Sequence, residues 1–333
     1  MSAPAGDLNQ FYREQLEPIL RALEEERQQK TQRFGQITLF SILFGGLFTL
    51  ILAGFSPQLG WLAFLPLGIA LLVILITYGT MTSEWSHQFK WRVLTRLVKF
   101  VSPELEYHPQ RFISEKEFRQ SLLFQREPDR YRGEDLIEGR VGQTALRLSE
   151  IHAEYKTEHY DSKGNRYTTW HTLFRGLFII ADFNNHFSGI TLVLPDVEEQ
   201  LLGWLGQTLQ SWSAKLGMQP GELVKLEDPV FERAFKVYST DQIEARYILT
   251  PSLMERILRF RERTRSEIRL AFITSHLYVA IPTTHDYFEA PSLFAPVGEL
   301  LKPETIGKYL EELRFALSVV DELNLNTRIW TKR

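Results

Sequence analysis

Histidine and carboxylate side chains offer the first chemistry to weigh. His152 and Glu154 stand two apart in an alternating stretch, so a strand would aim both at one face. His159, Asp161 and His171 follow on an adjoining hairpin, where a shared face would gather imidazole and carboxylate into a metal or acid–base cluster. His152, Glu154 and His171 are therefore the catalytic candidates, and a membrane-bound hydrolase is the enzyme they would make. The plainer account is that the solvent side of an antiparallel sheet collects His, Glu, Lys and Tyr without any catalytic role. No Gly-rich phosphate loop follows a strand, and neither G-x-S-x-G nor H-E-x-x-H occurs. The complete absence of cysteine removes thiolate nucleophiles and sulfur-ligated metal. The balance favours a non-enzymatic role, with no cofactor and no metal expected.

Two other charged groups call for a reading. Asp241, Glu244 and Arg246 form a cluster in which Glu244 would pair with an arginine, since an unpaired buried charge is prohibitive. Arg256, Arg259 and Arg263 belong to an arginine-rich stretch that outnumbers its own glutamates. Together with Lys90, Arg92, Arg96 and Lys99 they are candidates for contact with anionic lipid headgroups, each worth about 1 kcal/mol near such a surface. Nucleic acid is not expected, because the chain carries a net charge of -3.

These residues must be positioned by elements, and the clearest of those lies elsewhere. From Phe34 to Ser83 there is no Asp, Glu, Lys, Arg or His. About 20 apolar residues span a hydrocarbon layer roughly 30 Å thick, so this stretch predicts two spans, Ile37 to Phe55 and Leu59 to Tyr78. A connection at Ser56, Pro57 and Gln58 is too short to carry a domain, which makes the spans an antiparallel hairpin. Small residues at Ser41, Gly45, Gly46, Gly68 and Ala70 would let the two helices approach. Arg27, Lys30 and Arg33 precede the hairpin and the basic run from Lys90 follows it, so both flanks face the inner side. The apolar run begins only after more than thirty residues rich in Glu, Gln and Arg, unlike a secretory signal, so it should be retained.

Before the hairpin, Leu8, Phe11, Leu16, Leu20 and Leu23 recur at helical spacing, with Pro18 taken as the start of the main helix. After it, residues 86–101 predict a helix along the inner leaflet, and Ser114 with Glu117 a capping box. From Asp135 the period changes to two. Strands are expected at 155–163, 165–170, 173–183 and 189–194, then an amphipathic helix through Leu201 to Trp212. A strand pair (223–226 and 231–238), helices at 241–248 and from Thr250, a hairpin (267–281) and a helix from Ile306 complete the chain. The expected fold is α+β: an amphipathic helix (1–35), a transmembrane hairpin (36–83), membrane-proximal helices (84–130) and a domain of mostly antiparallel sheet packed with helices (131–333).

The run Thr172-Leu173-Phe174-Arg175-Gly176-Leu177-Phe178, the blocks Phe231 to Tyr238 and Asp241 to Pro251, and Tyr287-Phe288-Glu289 resemble the bacterial family called domain of unknown function 3137. The resemblance, taken over nearly the whole chain, implies a bacterial membrane protein with a cytoplasmic domain and supplies no catalytic residues. The sequence therefore points to a scaffold or binding domain at the bacterial inner membrane, multi-pass, with both termini cytoplasmic. Its expected partners are the lipid bilayer and a protein or a second copy of the chain.

Overall fold

Away from its ends a helix satisfies its backbone groups internally, so the uncharged stretch can be apolar on all sides. In the computed structural model, which describes residues 5–55, 57–124, 126–160, 162, 164–183, 188–196, 221–323 and 325, α1 (Ala5–Phe11) passes through a wide π turn (Tyr12–Leu16) into α2 (Glu17–Phe55). Pro18 thus does not begin the main helix. The wide turn, closed by the Glu17 N–H on the Tyr12 carbonyl, accommodates a residue with no N–H to give. α3 (Leu65–Phe89) begins later than the Leu59 expected, because a 3-10 turn (Pro57–Phe64) containing Gly60 at φ 51 intervenes. Residues 86–101 form no separate helix: a π turn (Lys90–Leu94) and α4 (Thr95–Val101) continue α3.

The chain divides into two compact units, Met1–Leu97 with Phe288–Leu310, and Val98–Tyr287 with Glu311–Arg333. In the first, α2 and α3 pack antiparallel. A Cβ on Gly45 would lie 2.9 Å from that of Ala70, whereas Gly46 and Gly68 meet nothing, so one small residue of each helix makes the close approach. Phe34 and Tyr78 meet edge to face at 6.1 Å, and Lys30 pairs with Glu84 at 2.8 Å. Leu16, Leu20, Leu23, Trp85 and Phe89 are buried. By contrast Leu39, Phe40, Leu43, Phe44, Leu47, Leu71, Leu72, Leu75 and Ile76 are all more than half exposed. Two helices are long and apolar enough to cross a membrane.

The second unit is built on one sheet: β1 (Glu106–His108), β2 (Arg130–Val141), β3 (Thr144–Tyr160), β4 (Arg166–Asp182), β5 (Ile190–Pro195), β6 (Glu222–Val224), β7 (Phe235–Ser239), β8 (Arg269–Ile273) and β9 (His276–Pro282). Their order is β1-β2-β3-β4-β9-β8-β5-β7-β6, and every pairing among the described residues is antiparallel. The fold is α+β, a long N-terminal helical region followed by a large antiparallel sheet. Strands expected at 165–170 and 173–183 are one continuous strand, β4, bulged at Leu173 where Ala153 faces Phe174 and Glu154 faces Thr172. Gly176 to Ala181 is buried throughout, as a central strand covered on both faces should be.

Residues 231–234 are not strand. Asp228 accepts from the Val230 and Phe231 amides and Pro229 occupies the first turn, so a short helix, α6 (Pro229–Ala234), forms before β7. α7 (Gln242–Ile248) and α8 (Pro251–Thr264) begin at the expected caps, Asp241 and Thr250. The Ser114–Glu117 capping box starts α5 (Glu115–Gln120), which seats Phe118 against Phe178 at 5.1 Å on one face of the sheet. α9 (Pro303–Glu322) is the last described helix. The helix expected from Leu201 to Trp212 lies outside the described residues.

Candidate functional site

The bulge at Leu173 decides the fate of the histidine cluster. His152 and Glu154 share a face of β3, with His152 Nε2 3.9 Å from Glu154 Oε1. Glu154 is already engaged by Arg132 at 3.2 Å and lies 4.0 Å from Arg130. His171 pairs with Tyr155, one position along, so alternation places it on the opposite face. There its Nε2 bonds Thr157 Oγ1 at 2.9 Å and its ring stacks on Tyr155. The structure brings His152 and Glu154 together and separates His171 from both. Two grooves in this unit, of about 490 and 430 Å³, are lined by other residues.

The other charged candidates also find partners within the protein. Among the described residues Glu244 pairs with no arginine; it accepts from the backbone amides of Ser188 and Gly189 at 2.7 Å each, clamping the turn into β5. Asp241 caps α7, and Arg246 bonds Gln242 and the Lys225 carbonyl. Lys90 is 3% exposed and paired with Glu289 at 3.3 Å, which removes it from the lipid-facing set. Arg92 pairs with Glu26, while Arg96 and Lys99 bond the carbonyls of Arg92 and Pro103. Arg256 reaches the Glu322 carbonyl, Arg263 the Glu322 carboxylate and Ser318, and Arg259 lies 3.8 Å from Glu255.

Sequence reasoning missed a carboxylate group. Glu134, Asp135 and Glu150 bring one oxygen each within 4.8 Å of one another, an arrangement that could accept a divalent cation. Asp135 is fully buried at φ 60, within a β2 bulge, and Tyr107 Oη donates to it. Burial pushes the Glu150 carboxyl up to about 8, against the Tyr287 N–H, which donates to it at 2.5 Å; the nearby Asp135, Glu134 and Asp286 charges add to the rise. The Glu-Asp pair at 134–135 was visible in the sequence, but the bulge that turns Asp135 inward was not.

The same β3–β4 pair carries a second feature. β2 reaches β3 only as far as Glu154, and β9 reaches β4 only as far as Gly176. Residues 155–160 and 166–172 therefore pair with each other alone among the described residues, forming a two-stranded arm. One of its faces is a ladder of Tyr155–His171, Thr157–Thr169 and His159–Tyr167, with both imidazoles stacked on tyrosines and both bonded to Thr157 Oγ1. On the other, Arg130 lies 3.5 Å over the Trp170 ring and Arg166 pairs with Glu158. Tyr160 and Tyr167 are 69% and 52% exposed.

Residues 172–325 match the family model described as protein of unknown function (DUF3137). This segment is similar to that family. The DUF3137 match starts within β4 and contains all four blocks that carried the resemblance. It is narrower than the sequence reading supposed, for it leaves out the helical hairpin, β2 and β3. Among solved structures, the crystal structure of the mycobacterial trehalose monomycolate transport factor A, TtfA, is similar at 13% identity and a TM-score of 0.35, over 72% of this chain and 99% of that one. No curated protein matches the sequence.

Proposed function

We propose that this protein is a membrane-tethered binding module: the α2–α3 hairpin crosses the bacterial cytoplasmic membrane, and the β3–β4 arm captures a protein partner on the cytoplasmic side. The hairpin reading is supported by a charge-free stretch from Phe34 to Ser83 whose large apolar side chains face outward. Basic residues on both flanks favour the cytoplasmic orientation.

The observation that carries the binding reading is that, among the described residues, the arm has no further strand beside it. A two-stranded ribbon is marginal on its own in water, and beyond Lys156, whose N–H is taken by Asp129, its outer edges carry backbone groups that no strand of the sheet pairs among the described residues. Tyrosine, tryptophan and arginine on both faces are the residue types that anchor protein interfaces, and a partner strand could add to either edge. A hydrolase built on His152, Glu154 and His171 lacks this support, since acid–base partners must lie within hydrogen-bond reach.

Photo-crosslinking side chains at positions 160 and 167, activated in native membranes, test the reading. A discrete adduct with another protein, absent from a control label at exposed Ile243, is the expected result. No adduct at either position, or adducts of the chain with itself alone, would overturn it.

A further inference from the structure

The loop at residues 291–297 belongs to the same unit as the hairpin, and its construction is unusual for a loop in water. Its backbone is held from the helices: Trp85 Nε1 donates to the Pro291 carbonyl at 2.7 Å, and Arg27, 2% exposed, donates to the carbonyls of Leu293, Ala295 and Pro296 at 2.9, 2.6 and 3.2 Å. The Phe294 and Ala295 amides are taken by Ser292, and Pro296 has no N–H. Much of the loop's backbone polarity is thus met from within the protein, which suits a water-poor layer. Yet two large apolar side chains point outward, with Phe294 43% and Val297 77% exposed.

Their depth can be read from the helices. Phe294 stacks on Tyr78 at 6.0 Å and meets Phe34 edge to face at 5.4 Å. Phe34 is the first residue of the uncharged stretch, directly after Arg33 and about 6 Å along α2 from Lys30, which pairs with Glu84, so it stands at the boundary between the charged and the apolar levels. Phe294 therefore extends the apolar face of the hairpin at the level where aromatic side chains settle between headgroups and hydrocarbon.

We propose that this loop is a third membrane contact, in which Phe294 and Val297 enter the interfacial layer of the bilayer beside the hairpin. The inference rests on the reading of α2 and α3 as membrane spans. Its occupant is lipid rather than a protein groove, because the exposed side chains continue a lipid-type surface.

The chain has no cysteine, so nitroxide labels at F294C, V297C, L47C and Y160C can be placed singly in the full protein, in nanodiscs of phosphatidylcholine and phosphatidylglycerol. Accessibility to oxygen, which concentrates in lipid, is compared with accessibility to a water-soluble nickel chelate. The expected result is an oxygen preference at 294 and 297 that lies between the deep value at 47 and the aqueous value at 160. Aqueous values at 297 with a lipid value at 47 would overturn the loop contact and leave the hairpin standing. An aqueous value at 47 would overturn both, and low access to both reagents at 297 would mean a protein covers the loop and would also overturn it. Val297 carries the test where F294C perturbs packing.

Discussion

Arg27 and Glu24 pair at 2.8 Å within α2, and the same two side chains hold the backbone of residues 293–298. Breaking a buried pair by removing one partner costs about 3–5 kcal/mol, since the other charge is left without compensation. R27M is accordingly expected to lower the stability of this unit by that amount and to release the loop. Trp85, bonded to Pro291, reports the release through its fluorescence during denaturation in detergent. An unchanged midpoint would contradict the assignment.

The same pair sets an acid limit. Burial opposes the Glu24 carboxylate, but hydrogen bonds from Arg27, the Gly298 N–H and Gln28 outweigh it and lower its pKa to about 2. A depressed carboxylate stabilises the fold fully above its unfolded value near 4.5, and that contribution is lost as pH falls toward 2. Thermal midpoints between pH 6 and pH 2.5 should fall in the native chain, and E24Q should remove part of the slope.

Glu150 has the opposite sign. With its carboxyl raised to about 8, the folded state keeps a proton that the unfolded chain releases above about pH 4.5. Stability from this group is complete below that value and is lost as pH rises through 8. E150Q, which cannot ionise, is expected to hold a flatter midpoint from pH 5 to 8.5 and to exceed the native chain at the upper end. A native midpoint independent of pH in this window would contradict it.

The arm separates binding from stability. Tyr160 and Tyr167 are exposed, and exposed substitutions cost within about 0.5 kcal/mol, so the double variant Y160A/Y167A should keep the native denaturation midpoint. Its capture of the partner, read as adduct yield from a photo-label at the unmutated position 158, should drop at least tenfold. Retained capture would place the contact elsewhere.

Elements coded within a few neighbouring residues were legible in the sequence. The hairpin followed from the absence of charge, and α5, α7 and α8 from caps at Ser114, Asp241 and Thr250. What depended on chain segments far apart was not. The Leu173 bulge, which sends His171 away from His152, exists only in the pairing of β3 with β4. Gly176 shows the same dependence: at φ 147, a Cβ there would lie 2.1 Å from the Ile281 carbonyl oxygen, so the need for glycine is set by β9. Arg27 looked like one basic residue of a positive flank, because its carbonyl partners lie more than 260 residues away.

The proposed crossing of the bilayer by the hairpin, with the sheet domain inside, is tested most directly by two single cysteines. In spheroplasts, a membrane-impermeant maleimide should label Q58C at the exposed turn and leave Y160C unlabelled until the membrane is opened. Labelling of Y160C in sealed spheroplasts with Q58C protected would contradict it.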